Sequence, residues 1–173
     1  MDKEMNSHKE RGTWDIVPSP KTPPRNIVDG QWHYIYKFDE DGKIIAHKCQ
    51  YVAKGYSQIY RVDFMETNTP TTRLQTIRLL LAYAAFHGYV MVQLDIKTTY
   101  LNGKLEDEIY MKQPDSYVLK GKEDWLCLIR RGLYGLRQSA AIWYKPLKAA
   151  LLELGFTLSH YDLTLFFKLC DNK

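Results

Sequence analysis

The amino-acid sequence predicts an α+β domain, and three observations carry that expectation. An aromatic-rich segment and a returning strand flank an acidic turn that ends in glycine. One stretch repeats its leucines at helical spacing. A run of β-branched and aromatic residues ends on a single aspartate, Asp95.

Residues 1–26 read as a poorly ordered flank, because Pro18, Pro20, Pro23 and Pro24 sit among polar neighbours. Trp14, Ile16 and Val17 are the exception and are expected to dock as a short edge strand. Residues 27–88 read as a hairpin followed by a helix. The first strand is residues 32–38, the turn is Asp39-Glu40-Asp41-Gly42, and residues 43–53 return. The helix is expected over residues 73–87, where Leu74, Ile77, Leu80, Leu81, Ala84 and Ala85 recur at three- and four-residue spacing and define one apolar face. Thr72 with Gln75 forms a capping-box pattern at its start, and Gly88 stands where a left-handed C-cap would end it.

Residues 89–173 make the last block. Residues 89–96 read as a strand buried on both faces, with Asp95 near its end. A charged loop over 104–108 precedes a short strand at 109–111, and another strand follows at 125–129. A second helix is expected from Ser139 to Leu154, with Trp143, Leu147, Ala150, Leu151 and Leu154 on one side and Gly155 closing it. Pro146 falls inside it and costs about 3 kcal/mol in a straight interior, so a kink or a later start is expected.

The composition is that of a folded protein: 173 residues, 45% apolar, 25% charged and 13% aromatic, enough chain for a substantial core. A net charge of +4 is compatible with nucleic acid without arguing for it. Three well-separated cysteines form neither a disulfide framework nor a zinc pattern, so a reducing compartment is the default. The N-terminal dozen residues are charged and lack the apolar segment of a secretory signal. The longest apolar run, residues 79–86, falls well short of the roughly 20 residues that span a bilayer. An intracellular, cytoplasmic protein with no membrane partner is the expectation.

A hard cation would need carboxylate oxygens, and Asp95 with the Ile96 carbonyl beside it could offer two ligands, but on residue type alone an aspartate at a strand end is usually a cap or a turn residue. Five residues on comes an aromatic ring, Tyr100, which core packing explains equally well. Gln138 on its own is an ordinary loop glutamine. Lys37, Lys48 and Lys54 are surface lysines of the hairpin.

Several strings, in order, change that reading: Tyr51-Val52-Ala53-Lys54-Gly55-Tyr56-Ser57-Gln58, Ile77-Arg78-Leu79-Leu80-Leu81-Ala82, Gln93-Leu94-Asp95-Ile96-Lys97-Thr98 with Leu101-Asn102-Gly103, Glu108-Ile109-Tyr110-Met111 with Gln113-Pro114, and Leu133-Tyr134-Gly135-Leu136-Arg137-Gln138. With these the chain resembles the reverse transcriptase of copia-type LTR retrotransposon Pol polyproteins over roughly residues 14–167. The resemblance implies a partial right-hand polymerase, the fingers and an incomplete palm, and an RNA-directed DNA polymerase (nucleotidyltransferase) activity in the intact element.

By the same resemblance Asp95 is the first catalytic aspartate and a magnesium ligand, with the Ile96 backbone carbonyl beside it. Tyr100 is the aromatic gate that excludes a 2′-hydroxyl. Gln138 contacts the incoming nucleotide, and Lys37 and Lys54, with Lys48, supply charge toward a triphosphate. The implied cofactor is Mg2+, and the implied partners are an RNA/DNA template-primer and a dNTP. The intact element would also visit a virus-like particle or the nucleus.

The departures matter equally. Gln50 stands where relatives typically carry Arg, Ala140-Ala141 replaces a Pro-Arg pair, and Thr99 replaces a small Ala. Leu169-Cys170-Asp171-Asn172-Lys173 stands where a Tyr-Val-Asp-Asp hairpin is expected to follow. Asp162 matches a position outside the catalytic trio. The expectation is therefore a truncated fragment, inactive alone because the second aspartate pair is missing, or completed by a partner chain. The alternative is a non-catalytic nucleic-acid-binding or interaction module derived from such a polyprotein.

Overall fold

A computed structural model describes residues 1–22 and 26–169; Pro23, Pro24 and the segment that includes Asp171 lie outside the described residues. Among the described residues, three α-helices and three small sheets make an α+β chain, as the sequence predicts. The flank expected to be loose begins instead with a ten-residue helix, α1 (Asp2–Arg11). Asp2 and Glu4 sit in its first turn and Lys9 and Arg11 in its last, matching the helix dipole, and Gly12 closes it at φ 57°. His8 is its buried anchor: the ring lies 4.6 Å from Trp14 and Nδ1 meets the Thr13 hydroxyl at 3.2 Å.

Strand β1 (Trp14–Val17) does form, as an edge of the central sheet. The hairpin is β2 (Gly30–Phe38) and β3 (Ile44–Ala53), paired antiparallel with a register shift at Lys37/Phe38. Gly42 takes φ 78° in its turn, and the Asp39 carboxylate accepts the amides of Asp41 and Lys43. β4 (Tyr110–Lys112) and β5 (Leu126–Ile129) complete the central sheet in the order β1-β5-β4.

The core sits where that sheet meets the base of the hairpin. Val28, Tyr51, Leu101, Ile109, Met111, Cys127, Ile129 and Leu133 are buried there, with Trp14, Trp32 and Ile142 packed against them. The hairpin base is held by backbone against backbone. The Ala53 amide donates to Tyr134 O at 2.8 Å. A Cβ on Gly55 would stand 2.0 Å from Gly135 O, and one on Gly135 would stand 2.0 Å from Ala53 O, so both positions require glycine.

Helix α2 (Leu74–His87) forms one residue later than the sequence predicts, with Arg73 as N-cap and no local side-chain cap. The capping box of Thr72 and Gln75 is therefore not used. The Asp162 carboxylate serves from across the chain: it accepts the Thr76 hydroxyl at 2.6 Å and also meets the Arg73 amide. Gly88 ends the helix at φ 67°, as expected. The predicted apolar face is present but largely exposed; no residue of α2 is buried.

The largest correction concerns residues 89–96. They were expected as a strand buried on both faces; they form no strand, and Val90 is 90% and Leu94 84% exposed. Strand propensity is a preference for a pleated, half-buried surface rather than a property of the backbone itself. Among the described residues, no strand lies alongside to accept the pairing.

The C-terminal helix α3 (Ser139–Glu153) starts at its predicted residue and carries Pro146 in its interior on the exposed side, so no later start is needed. Gly155, at φ 82°, follows it, and the two-residue strands β6 (Thr157–Leu158) and β7 (Phe166–Phe167) pair beyond it.

Candidate active site

Asp95 and Tyr100 are held in opposite ways. Asp95 is exposed at the end of the unpaired segment, and its carboxylate takes part in none of the ion pairs among the described residues. Tyr100 belongs to a tight 3-10 turn, Thr99–Asn102, whose Leu101 is buried in the core. Its ring stands edge-on to Tyr134, centroids 4.9 Å apart at 73°. Burial raises the pKa of the Tyr134 phenol, the Glu4 carboxylate adds to that rise and the Gln50 side chain opposes it.

The Ile96 carbonyl is already engaged, accepting the Thr99 hydroxyl at 2.7 Å. One carboxylate and one committed carbonyl do not make a magnesium site, which needs several hard oxygens in near-octahedral array. Among the described residues, no cluster of three or more His, Cys, Asp or Glu side chains could hold a metal. The residues present do not fit the implied cofactor.

Gln138 is 2% exposed, and its amide is satisfied inside the protein. It accepts from Gln58 Nε2 at 3.1 Å and donates to Asp63 O at 2.8 Å and Asp107 Oδ2 at 3.1 Å. In this geometry it brackets the start of α3 to the 58–63 loop. Lys54 pairs with Asp29, Nζ to Oδ2 2.8 Å. The shared hydrogen bond raises the lysine pKa and lowers that of the aspartate. Lys54 thus has Asp29 as its charge partner.

Lys37 is exposed on β2. The register pairs Lys37 with Ala46, Ile35 with Lys48 and His33 with Gln50, so alternation puts Lys37, Lys48 and Gln50 on one face. The opposite face carries the exposed Tyr34, Tyr36 and Phe38. The sequence reading missed Tyr134 as partner of the Tyr100 ring, Asp29 as partner of Lys54, and the bracket around Gln138. Tyr134, Gln58 and Gln138 lay inside strings that drew attention; Asp29, Asp63 and Asp107 did not.

Comparison with known proteins agrees with the strings. Residues 11–173 match the family described as reverse transcriptase (RNA-dependent DNA polymerase). The chain is 39% identical over 166 residues to the retrovirus-related Pol polyprotein from transposon RE2 of Arabidopsis thaliana, covering 96% of this chain and 11% of that protein. It is 36% identical to the corresponding RE1 polyprotein of the same plant, with the same coverage. It is 33% identical to that from transposon TNT 1-94 of Nicotiana tabacum, covering 97% of this chain and 12% of the relative. The chain belongs to the reverse transcriptase family, and its relatives are copia-type retrotransposon Pol polyproteins. It spans about a tenth of their length. No solved structure matches it significantly. Among the described residues, no helix is long and apolar enough to cross a membrane.

Proposed function

We propose that this chain is the fingers and part of the palm of a retrotransposon reverse transcriptase, an element of an intracellular RNA-directed DNA polymerase that works with magnesium on a template-primer and dNTPs. The observation that carries the reading is an exposed Asp95 five residues before a Tyr100 seated in a tight turn, in a chain of this family. In the complete enzyme Asp95 would offer one carboxylate toward magnesium and Tyr100 would stand against the sugar. Metal-assisted nucleotide addition would need further carboxylates, supplied from elsewhere in the polyprotein or by a partner chain. The 173-residue polypeptide by itself is then inactive.

Primer extension on an RNA template, with magnesium and dNTPs, tests this in two forms. The chain alone gives no product. A chimera in which it replaces the matching segment of the RE2 polyprotein extends the primer, and Asp95→Asn abolishes that. A chimera as active with Asn as with Asp would remove Asp95 from the chemistry; extension by the chain alone, lost with Asp95→Asn, would refute the inactivity.

The exposed Tyr34, Tyr36 and Phe38 on one hairpin face favour a second reading, a non-catalytic module that stacks on single-stranded nucleic acid. Its signature is RNA binding by the chain alone that weakens steeply with salt and is lost on replacing those rings.

A further inference from the structure

The turn that carries Tyr100 begins with an unusual residue. Thr98 is in the left-handed region, φ 51° and ψ 44°, where a β-branched side chain is a genuine outlier. Such a conformation persists only where its surroundings over-determine it. Here they do so from several directions. The Thr98 hydroxyl bonds Lys97 O at 2.7 Å, and the Leu101 amide returns to Thr98 O at 3.0 Å. The Asn102 side chain reaches back to Thr98 O and Thr99 O at 3.3 and 3.4 Å. Gly132 closes the far side: a Cβ there would stand 2.7 Å from Tyr100 O.

Asn102 is itself held from outside the turn. Arg11, in the last turn of α1, donates Nη1–H to Asn102 Oδ1 at 3.0 Å across 91 residues of sequence. That acceptor bond fixes which way the Asn102 amide faces, and so which way its N–H groups point. α1 is seated in turn by His8 and Thr13, the Thr13 carbonyl accepting the amides of Arg130 and Arg131. A continuous chain of bonds thus runs from α1 through Arg11 and Asn102 to the strained start of the turn that carries Tyr100.

We infer that Arg11 and Asn102 are positioning residues for the gate. The pair holds Thr98 left-handed, and this determines where the Tyr100 ring stands against Tyr134. The assignment rests on reading Tyr100 as the sugar gate, but the geometry it describes can be measured without nucleotide. Arg11→Ala and Asn102→Ala withdraw the clamp while leaving the buried apolar core intact. Thr98→Gly removes the conformational penalty that the clamp opposes.

The readout is the ring signals of Tyr100 in selectively tyrosine-labelled protein, which Tyr134 displaces from their free values through its ring current. Arg11→Ala and Asn102→Ala each reduce that displacement at least twofold. Arg11→Lys, which still offers an N–H, restores most of it. In a Thr98→Gly background, Asn102→Ala loses most of its effect. Two outcomes overturn the inference: Tyr100 signals unmoved by both alanine variants, or disturbance confined to His8 and Thr13, which would make Arg11 only a fastener of α1. Failure here leaves the polymerase reading untouched, and failure of primer extension leaves these signals as they are.

Discussion

Gln138 separates a structural from a nucleotide-contacting role with one substitution. In Gln138→Ala the Gln58 amide loses its acceptor and the Asp63 carbonyl loses its donor, and both residues are buried. Asp107, only half buried, recovers water in place of the lost bond. A buried polar group left without a partner costs about 1–3 kcal/mol. Two such groups, partly relieved by water entering the vacated space, predict a loss of about 2–4 kcal/mol, a large share of a domain's total stability. Urea unfolding followed by far-ultraviolet circular dichroism reads this directly, with no nucleotide present. A double-mutant cycle with Gln58→Ala assigns the shared bond a coupling on the order of 1 kcal/mol. A Gln138→Ala chain within about 0.5 kcal/mol of the parent would refute the reasoning, because surface substitutions away from such networks have effects of that size.

Asp162 predicts an acid-sensitive tie. Bonds from the Thr164 hydroxyl, the Thr76 hydroxyl and the Thr164 amide hold its carboxyl well below the usual carboxylate range. A depressed carboxylate stabilises the fold fully above its unfolded value of 3.8 and loses that contribution as pH falls from there. Melting temperature should therefore drop on acidification below about pH 4. Asp162→Asn should be less stable than the parent at neutral pH and lose less on acidification; equal pH slopes would deny the tie. Val92→Lys, placed in the exposed unpaired segment, should reduce light scattering and concentration-dependent association, since charge on a bare strand edge blocks pairing with another chain. An unchanged association profile would mean that another surface drives it.

The elements legible in the sequence are those whose information is local. The hairpin needed only aromatic strands and an Asp-Gly turn. α2 and α3 needed only the spacing of their leucines and the glycines that follow. Hydrophobic period says that a helix has an apolar face, not that anything covers it, so the bareness of α2 was invisible. The same holds for residues 89–96, whose composition states a readiness to pair while the partner is a tertiary fact. α1 was legible in principle from its acidic first turn, basic last turn and Gly12, but the prolines that follow drew attention away. The seating of Gln138 and the cap from Asp162 depend on residues 31 to 86 positions away, which no local pattern carries.

At the root of the hairpin, Gly55 and Gly135 bring two stretches of main chain into contact with no side chain between them. A joint of that kind has no lubricating layer of rotamers, so the two ribbons cannot slide where they meet. Any movement of the hairpin tip would be taken up further out, along the nine and ten residues of β2 and β3, where the register shift at Lys37/Phe38 already interrupts the ladder. It would be a bending of the ribbon rather than a turning at its foot, where the Ala53 amide is bonded to Tyr134 O.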